Sequence, residues 1–264
     1  MPRIPAIIHY IFLVMPEKSP PPFNLVHFLA VKSAAITHQP DTIFFYFTDE
    51  PVGYWWEQAK PYVTVHHVIA PTEVGGRHFY HPAHSADLLR LQILQEYGGI
   101  YFDLDVICKK SFAPLMDYEF CLGKQGINGS LGICNAVILA KPHAFITQKW
   151  IEGFYPETSL LKGFRSKQQF DEYWCEMSVD YPALLAQKYP EHITILDHEA
   201  FYWPLYTPEH LAMLFRDDND FPNAYCHHLW QSLAWEHYMQ PLTVEEIMHT
   251  DTYFNRLARG ILLT

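Results

Sequence analysis

The sequence predicts an α/β fold: a mainly parallel sheet flanked by helices, forming a single domain over residues 1–264 with a helical insertion at 150–190. Three observations predict it. Apolar runs of strand length alternate with helix-like stretches, the pattern of βαβ units. A short hydrophobic strand follows a Gly-Gly junction and ends in two carboxylates. No internal repeat or low-complexity linker divides the 264 residues, a length that one large domain accommodates.

Residues 6–14 are apolar and β-rich, as expected of a strand buried on both faces. Residues 19–22, Ser-Pro-Pro-Pro, make a loop. Residues 23–37 read as a helix with Val26, Leu29, Ala30 and Ala34 at its apolar positions. A second strand spans 42–48, stopped by Asp49-Glu50-Pro51; 54–60 look helical and 63–69 form a third strand. A polar, His-rich stretch covers 72–84. Ser85 then caps a helix over about 86–97, which Gly98-Gly99 ends. Residues 100–102 are a short strand that delivers Asp103-Leu104-Asp105, and 106–108 continue beyond it. A Gly-rich loop at 123–135 precedes a strand at 136–140. Residues 150–174 read as inserted helices and loops, 193–196 as a strand closely followed by Phe201-Tyr202-Trp203-Pro204, and 224–230 are aromatic and His-rich. Residues 244–263 form one amphipathic helix. Packing on the core is its default; docking to a membrane or partner is the minority reading, because its charges are mixed.

Composition narrows the function. The chain is 49% hydrophobic and 16% aromatic, which excludes a disordered protein. Its 18 Lys and Arg against 29 Asp and Glu give a net charge of −11, which argues against nucleic-acid binding. A nucleotide is compatible with that charge if a metal ion holds its phosphates. Five cysteines, an odd number with no Cys-x-x-Cys, suit a reducing compartment. The N-terminal apolar run lacks signal-peptide features, and no stretch reaches about 18 apolar residues. The expectation is a cytoplasmic protein or an exported effector with no membrane span, which leaves room for peripheral membrane contact.

Asp103-Leu104-Asp105 is the strongest chemical signal, but Asp-x-Asp alone recurs by chance. A second copy, Asp218-Asn219-Asp220, sits in a polar loop and reads as a solvated turn. Context separates them: ligands of open α/β sheets bind beyond the carboxyl ends of strands. Side chains two apart on a strand share a face, so these carboxylates repel unless a cation lies between them or one stays protonated. Hard oxygen ligands suit Mg²⁺ or Mn²⁺; exposed strand-end carboxylates are the alternative. Asp87 and Arg90, three apart on a helix, share a face. They form either a surface ion pair or a pair beside the metal, with Asp87 accepting from sugar hydroxyls and Arg90 donating to a sugar or phosphate oxygen.

The run Ser85-Ala-Asp87-Leu-Leu-Arg90, then Tyr97-Gly-Gly-Ile-Tyr101-Phe-Asp103-Leu-Asp105, resembles the Asp-x-Asp region of the family 32 glycosyltransferases and of the related glucosylating toxins. Ala86 is an extra residue relative to that pattern. Weaker resemblances flank it: Ile4 to Phe12, with Phe12 where the family has Trp; Asn135-Ala-Val-Ile-Leu-Ala; 193–204; and Tyr225-Cys-His-His228-Leu-Trp230-Gln-Ser232. The resemblance implies a GT-A fold with a Rossmann-like donor domain. It implies a metal-dependent, retaining hexosyl- or N-acetylhexosaminyltransferase, with a UDP- or GDP-linked sugar as donor and a glycan, lipid or protein as acceptor. By resemblance the metal ligands are Asp103, Asp105 and His228, and the catalytic set is Asp87, Arg90, Asp103 and Asp105. Ile11, Phe12, Asp87, Arg90, Tyr101, Asp103, Asn135, Trp230 and Ser232 would hold the nucleotide-sugar.

Other arrangements are weaker. His78, His81 and His84 suggest a transition-metal site, but Pro82 would break the helix that aligns them, so a mobile loop beside the donor is expected. Cys226-His227-His228 lacks a second ligand cluster. Lys124, Gln125 and Asn128 face donor, acceptor or plain solvent. Tyr54-Trp55-Trp56 and Tyr202-Trp203 belong mostly to the core, with one of them as a candidate sugar-stacking wall. A metal-dependent phosphohydrolase would need further ligands near Asp103 and Asp105. A carbohydrate-binding protein with no turnover is the non-enzymatic alternative.

Overall fold

The computed structural model describes residues 3–14, 22–126, 132–167 and 172–264. The expected loop at 19–22 lies outside these residues apart from Pro22, as does the centre of the Gly-rich loop with Asn128. In chain order the elements are β1 (Ile7–Phe12), α1 (Leu25–His38), β2 (Thr42–Phe47), α2 (Tyr54–Ala59), β3 (Thr64–His67), β4 (Glu73–Val74), β5 (Arg77–His78), α3 (Pro82–Tyr97), β6 (Gly99–Phe102), β7 (Val106–Cys108), β8 (Phe120–Lys124), β9 (Ile133–Ala140), α4 (Phe145–Glu152), α5 (Tyr181–Lys188), β10 (Thr194–Leu196), α6 (His198–Phe201), α7 (Pro208–Phe215), β11 (Cys226–His228), α8 (Gln231–Ala234), α9 (Val244–His249) and α10 (Tyr253–Leu263).

Seven strands form the main sheet in the order β10-β8-β9-β6-β1-β2-β3. β9 alone runs against the rest, pairing antiparallel with both β6 and β8. The parallel expectation therefore holds for six strands. Both faces are covered, so the central strands are apolar on both sides. Ile8, Tyr10 and Phe12 of β1 pack with Leu29, Ala30 and Ala34 of α1 in one core cluster. Ile11 faces the other cluster, with Leu88 and Leu91 of α3 and Trp150 of α4.

The sequence expectations are corrected at three places in the chain. Pro82 does not break α3 but begins it: His81 is the N-cap, and its Nδ1 accepts from the Ala83 N–H at 3.1 Å. Proline suits a first-turn position because its missing N–H has no helical partner there. Ser85, expected as the cap, lies inside the helix and donates instead to the Pro71 carbonyl at 2.7 Å. The single C-terminal helix is two helices, with the break at 250–252, where the Thr252 hydroxyl accepts from the Asn255 N–H and starts α10. The third correction concerns the Gly-rich segment: β8 was missed, and the strand after the loop begins at Ile133 rather than Ala136.

Gly98-Gly99 fixes the entry into β6. Gly99 has φ +106°, and a Cβ there would lie 2.5 Å from the Ile7 carbonyl oxygen. Only glycine lets β6 enter this close to β1. The register that follows, Ile8 opposite Ile100 and His9 opposite Tyr101, carries Asp103 to the carboxyl edge of the sheet. No helix among the described residues is long and apolar enough to cross a membrane.

Candidate active site

Beyond β6 the chain turns: the Asp103 N–H donates to the Ala136 carbonyl of β9, and the Val106 N–H donates back to the Asp103 carbonyl. β7 then pairs antiparallel with β11, placing His228 opposite Val106 and one residue from Asp105. Two short strands distant in sequence thereby deliver a carboxylate and an imidazole to one point. His228 Nε2 lies 3.3 Å from Asp105 Oδ1. One ligand atom each from Asp103, Asp105 and His228 lies within 4.8 Å of the others.

Asp105 is held from several sides. Its Oδ2 accepts from the Gln231 backbone N–H at 2.8 Å, and its carbonyl accepts from the Leu229 N–H at 2.9 Å. Burial by itself would raise its pKa, but His228 and the Gln231 N–H overcome that and lower it. His228 mirrors the effect: burial opposes its charge, and Asp105 raises its pKa overall. The loop between β11 and α8 is held by Trp230, which adopts a left-handed φ of 56° and donates its indole N–H to the Pro204 carbonyl at 3.1 Å. The Trp230 ring centroid lies 4.3 Å from that of His228.

A second network lies behind Asp103. Arg90 contacts Asp103 at 3.1 Å and Asp87 at 3.2 Å, and donates to the Asn135 carbonyl at 2.8 Å. Its guanidinium lies over the Tyr101 ring, 4.4 Å from the centroid. Tyr101 donates its hydroxyl to Asp103 at 2.6 Å, and the Asn135 side-chain amide donates to Asp87 at 2.7 Å. The Arg90 and Asp87 side chains are only 5% and 8% exposed, which overturns the surface ion-pair reading. Burial raises the Asp87 pKa against the opposing pull of Arg90 and Asn135. Burial works against the Arg90 charge, but Asp103, Tyr101 and Asp87 hold its pKa above the usual value.

The structure thus brings Asp87, Arg90, Tyr101, Asp103 and Asn135 into one network, and Asp105, His228 and Trp230 into a neighbouring one. Phe12 is placed differently. It is buried among Phe23, His27 and Phe45, with ring centroids 6.1 to 6.4 Å away. Ile11 faces the opposite side of the sheet. Ser232 is exposed on the first turn of α8. The His-rich stretch is a packed hairpin and helix start: Phe79 is buried against Phe164, and the His81 and His84 rings lie 4.8 and 4.7 Å from Trp174.

Sequence reasoning missed His27 and Gln231. His27 Nε2 lies 3.3 Å from Gln231 Oε1, tying α1 to the residue whose N–H holds Asp105. The available signal was a histidine within an otherwise apolar first two turns, three residues after the Asn24 cap.

Residues 26–121, which hold Asp87, Arg90, Tyr101 and both strand-end carboxylates, match the glycosyltransferase sugar-binding region containing a DXD motif. Over those residues the chain is similar to the glycosyltransferases that carry this region. It is 29% identical to glucan organizing enzyme 1 of Cryptococcus neoformans over 98% of its own length and 71% of that protein. It is 24% identical to a mannosyl phosphorylinositol ceramide synthase of Saccharomyces cerevisiae, over 76% of its own length and 43% of the relative. The chain therefore spans less than half of that relative. Among solved structures, the glycosyltransferase GlyE of Streptococcus pneumoniae superposes with a TM-score of 0.54 at 11% identity, covering 99% of this chain and 61% of that one. That likeness is one of fold. The sheet described above is accordingly of the GT-A type, and the matched region ends within its strand β8.

Proposed function

We propose that this glycosyltransferase transfers a hexose from a nucleoside-diphosphate donor, UDP- or GDP-linked, to a hydroxyl of a glycan or lipid headgroup, with a divalent cation bound at Asp103, Asp105 and His228. The observation that carries this reading is the convergence of those three side chains at the carboxyl edge of the sheet. Two carboxylates and one imidazole suit Mn²⁺ or Mg²⁺. Adjacent ligands each about 2.1 Å from an ion stand about 3 Å apart, so donors spread over 4.8 Å need a small inward adjustment to share one. His228 Nδ1 is buried without a hydrogen-bond partner among the described residues.

When bound, the cation would supply positive charge to a diphosphate leaving group. The protein's own part is positional. Gln231 N–H and His228 fix the Asp105 carboxylate, while Tyr101 and Arg90 fix that of Asp103. Fixed ligands need little reorganisation as charge develops on the leaving group. The Asp87–Arg90 pair lines the same edge as the candidate sugar-binding pair of the resemblance. The mannosyl and phosphorylinositol ceramide named for the yeast relative make mannose the sugar and an inositol-type headgroup the acceptor to try first. Retention of the anomeric configuration is the stereochemical outcome that the resemblance implies.

The test is nucleoside-diphosphate release from UDP- and GDP-linked hexoses with and without Mn²⁺, with the anomeric proton of the product followed by NMR. Cation-dependent release from one donor is expected, and should be lost in Asp105→Asn. Release indifferent to chelation and to Asp105→Asn overturns the reading. Phosphate release from simple phosphoesters would favour the hydrolase alternative.

A further inference from the structure

We infer that the cleft between α5 and the 205–210 segment is the acceptor subsite, and that it takes a neutral polyhydroxyl ring, a hexose or a cyclitol. The inference rests on the proposed function only for the donor side.

The cleft encloses about 730 Å³, ample for a monosaccharide-sized ring by comparison with ordinary ligand pockets of roughly 300–1,000 Å³. One wall is α5 with the residue before it, presenting Asp180, Ala183 and Gln187. The opposite wall is Tyr206, Thr207 and His210. Gln125 and Gly132, from the ends of β8 and β9, form the back.

Two aromatic contacts fix its position. Tyr206 packs on Trp230 with ring centroids 5.3 Å apart, and Trp230 packs on His228 at 4.3 Å. The cleft is thus separated from the proposed cation ligands by a single aromatic ring. Gly132 leads into β9, whose Asn135 joins the Arg90 network three residues later. A ring in the cleft could therefore direct a hydroxyl toward a sugar held at Asp87 and Arg90.

The lining defines the ligand chemistry. Gln125, Gln187 and Thr207 offer amides and a hydroxyl, and Asp180 offers a carboxyl whose pKa is raised by burial and then by Glu176. His210 Nδ1 is buried with no hydrogen-bond partner among the described residues. Tyr206 is 47% exposed and presents an aromatic face. Hydroxyl-rich rings are met by such paired donors and acceptors with an aromatic platform. None of the described lining residues is Lys or Arg, so nothing there favours a phosphate over a neutral hydroxyl.

The experiment uses the full chain with Mn²⁺ and the nucleoside diphosphate of its preferred donor. Three probes are compared by saturation-transfer NMR: methyl α-D-mannopyranoside, myo-inositol and myo-inositol 1-phosphate. At least one neutral probe should receive saturation, and Ala183→Trp, which fills the cleft, should abolish it. Gln187→Ala, the milder change, should weaken it about tenfold through the loss of hydrogen bonding. Both variants should keep wild-type donor hydrolysis in the absence of acceptor. The arms separate a hexose from a cyclitol. No saturation of either neutral ring, saturation unchanged in Ala183→Trp, or retention of the phosphate well above both neutral rings would overturn the inference. Loss of donor hydrolysis in the wild type would instead count against the proposed function.

Discussion

Arg90 on α3 and Asp103 at the end of β6 touch at 3.1 Å, inside a site where Arg90 also meets Asp87 at 3.2 Å. One guanidinium thus sits between two carboxylates, and burial would otherwise penalise that of Asp87. Removing it strands Asp87, and breaking a buried pair this way costs about 3–5 kcal/mol. Arg90→Ala should therefore lower the urea midpoint substantially as well as abolish turnover. Arg90→Lys keeps the charge but not the fork, and should recover much of the stability and little of the activity. Equal midpoints for wild type and Arg90→Ala would refute this account.

Asp105 and His228 should behave differently from Arg90. In Asp105→Asn the carboxamide still faces His228 Nε2, and in His228→Ala the Gln231 N–H still donates to Asp105. Asp105→Asn should leave the fold near wild type by circular dichroism and reduce turnover about 10²-fold or more. His228→Ala should raise the Mn²⁺ concentration needed for half-maximal activity. A cation requirement unmoved by His228→Ala would remove that residue from the ligand set.

The close approach of β6 to β1 makes Gly99 irreplaceable. With φ at +106° and a would-be Cβ 2.5 Å from the Ile7 carbonyl oxygen, Gly99→Ala should cost on the order of 3 kcal/mol. Thermal denaturation measures the loss. Gly76, also at positive φ but with open space around its would-be Cβ, serves as the control and should lose less on the same change.

Four buried histidines, His9, His27, His38 and His227, have pKa values lowered from 6.5 to about 4, each chiefly by burial. A lowered value means that the fold holds the neutral imidazole while the unfolded chain takes up the proton. Their stabilisation is complete above about pH 6.5 and declines as pH falls toward 4, by up to about 1.4 kcal/mol per pH unit for each group. Unfolding free energy should therefore drop steeply between pH 7 and 5. His38→Gln keeps an acceptor for the Phe112 N–H, which now donates to His38 Nδ1 at 3.3 Å, yet cannot titrate. Its slope should be shallower by about one proton's worth; parallel slopes would contradict the assignment.

The residues of the site were legible in the sequence to the extent that their chemistry is local. Asp103 and Asp105 stand out because a hydrophobic strand ends on them, and Asp87 and Arg90 because helical spacing aligns them. What was not legible is non-local. Nothing near Arg90 indicates that its partner is Asp103 as well as Asp87, since that depends on how α3 lies across β6. β8 was hidden because Phe-Cys-Leu-Gly-Lys carries no clear period and has a glycine before its last residue. The reversal of β9 was hidden because strand direction is set by the connection, not by the side chains of the strand. The terminal helix was read as continuous because its apolar spacing survives the break, while Thr252 restarts it with a hydroxyl cap.

The pairing of β11 with β7 has a consequence for biosynthesis. A ribosome releases both carboxylates of the DXD sequence well before it reaches the imidazole. Until the late strand zips onto 106–108, an emerging polypeptide would offer the proposed cation two carboxylates alone. Tight capture of that cation would then report completed folding, and a protease cut between the two strands would be felt first as a weakened hold on it.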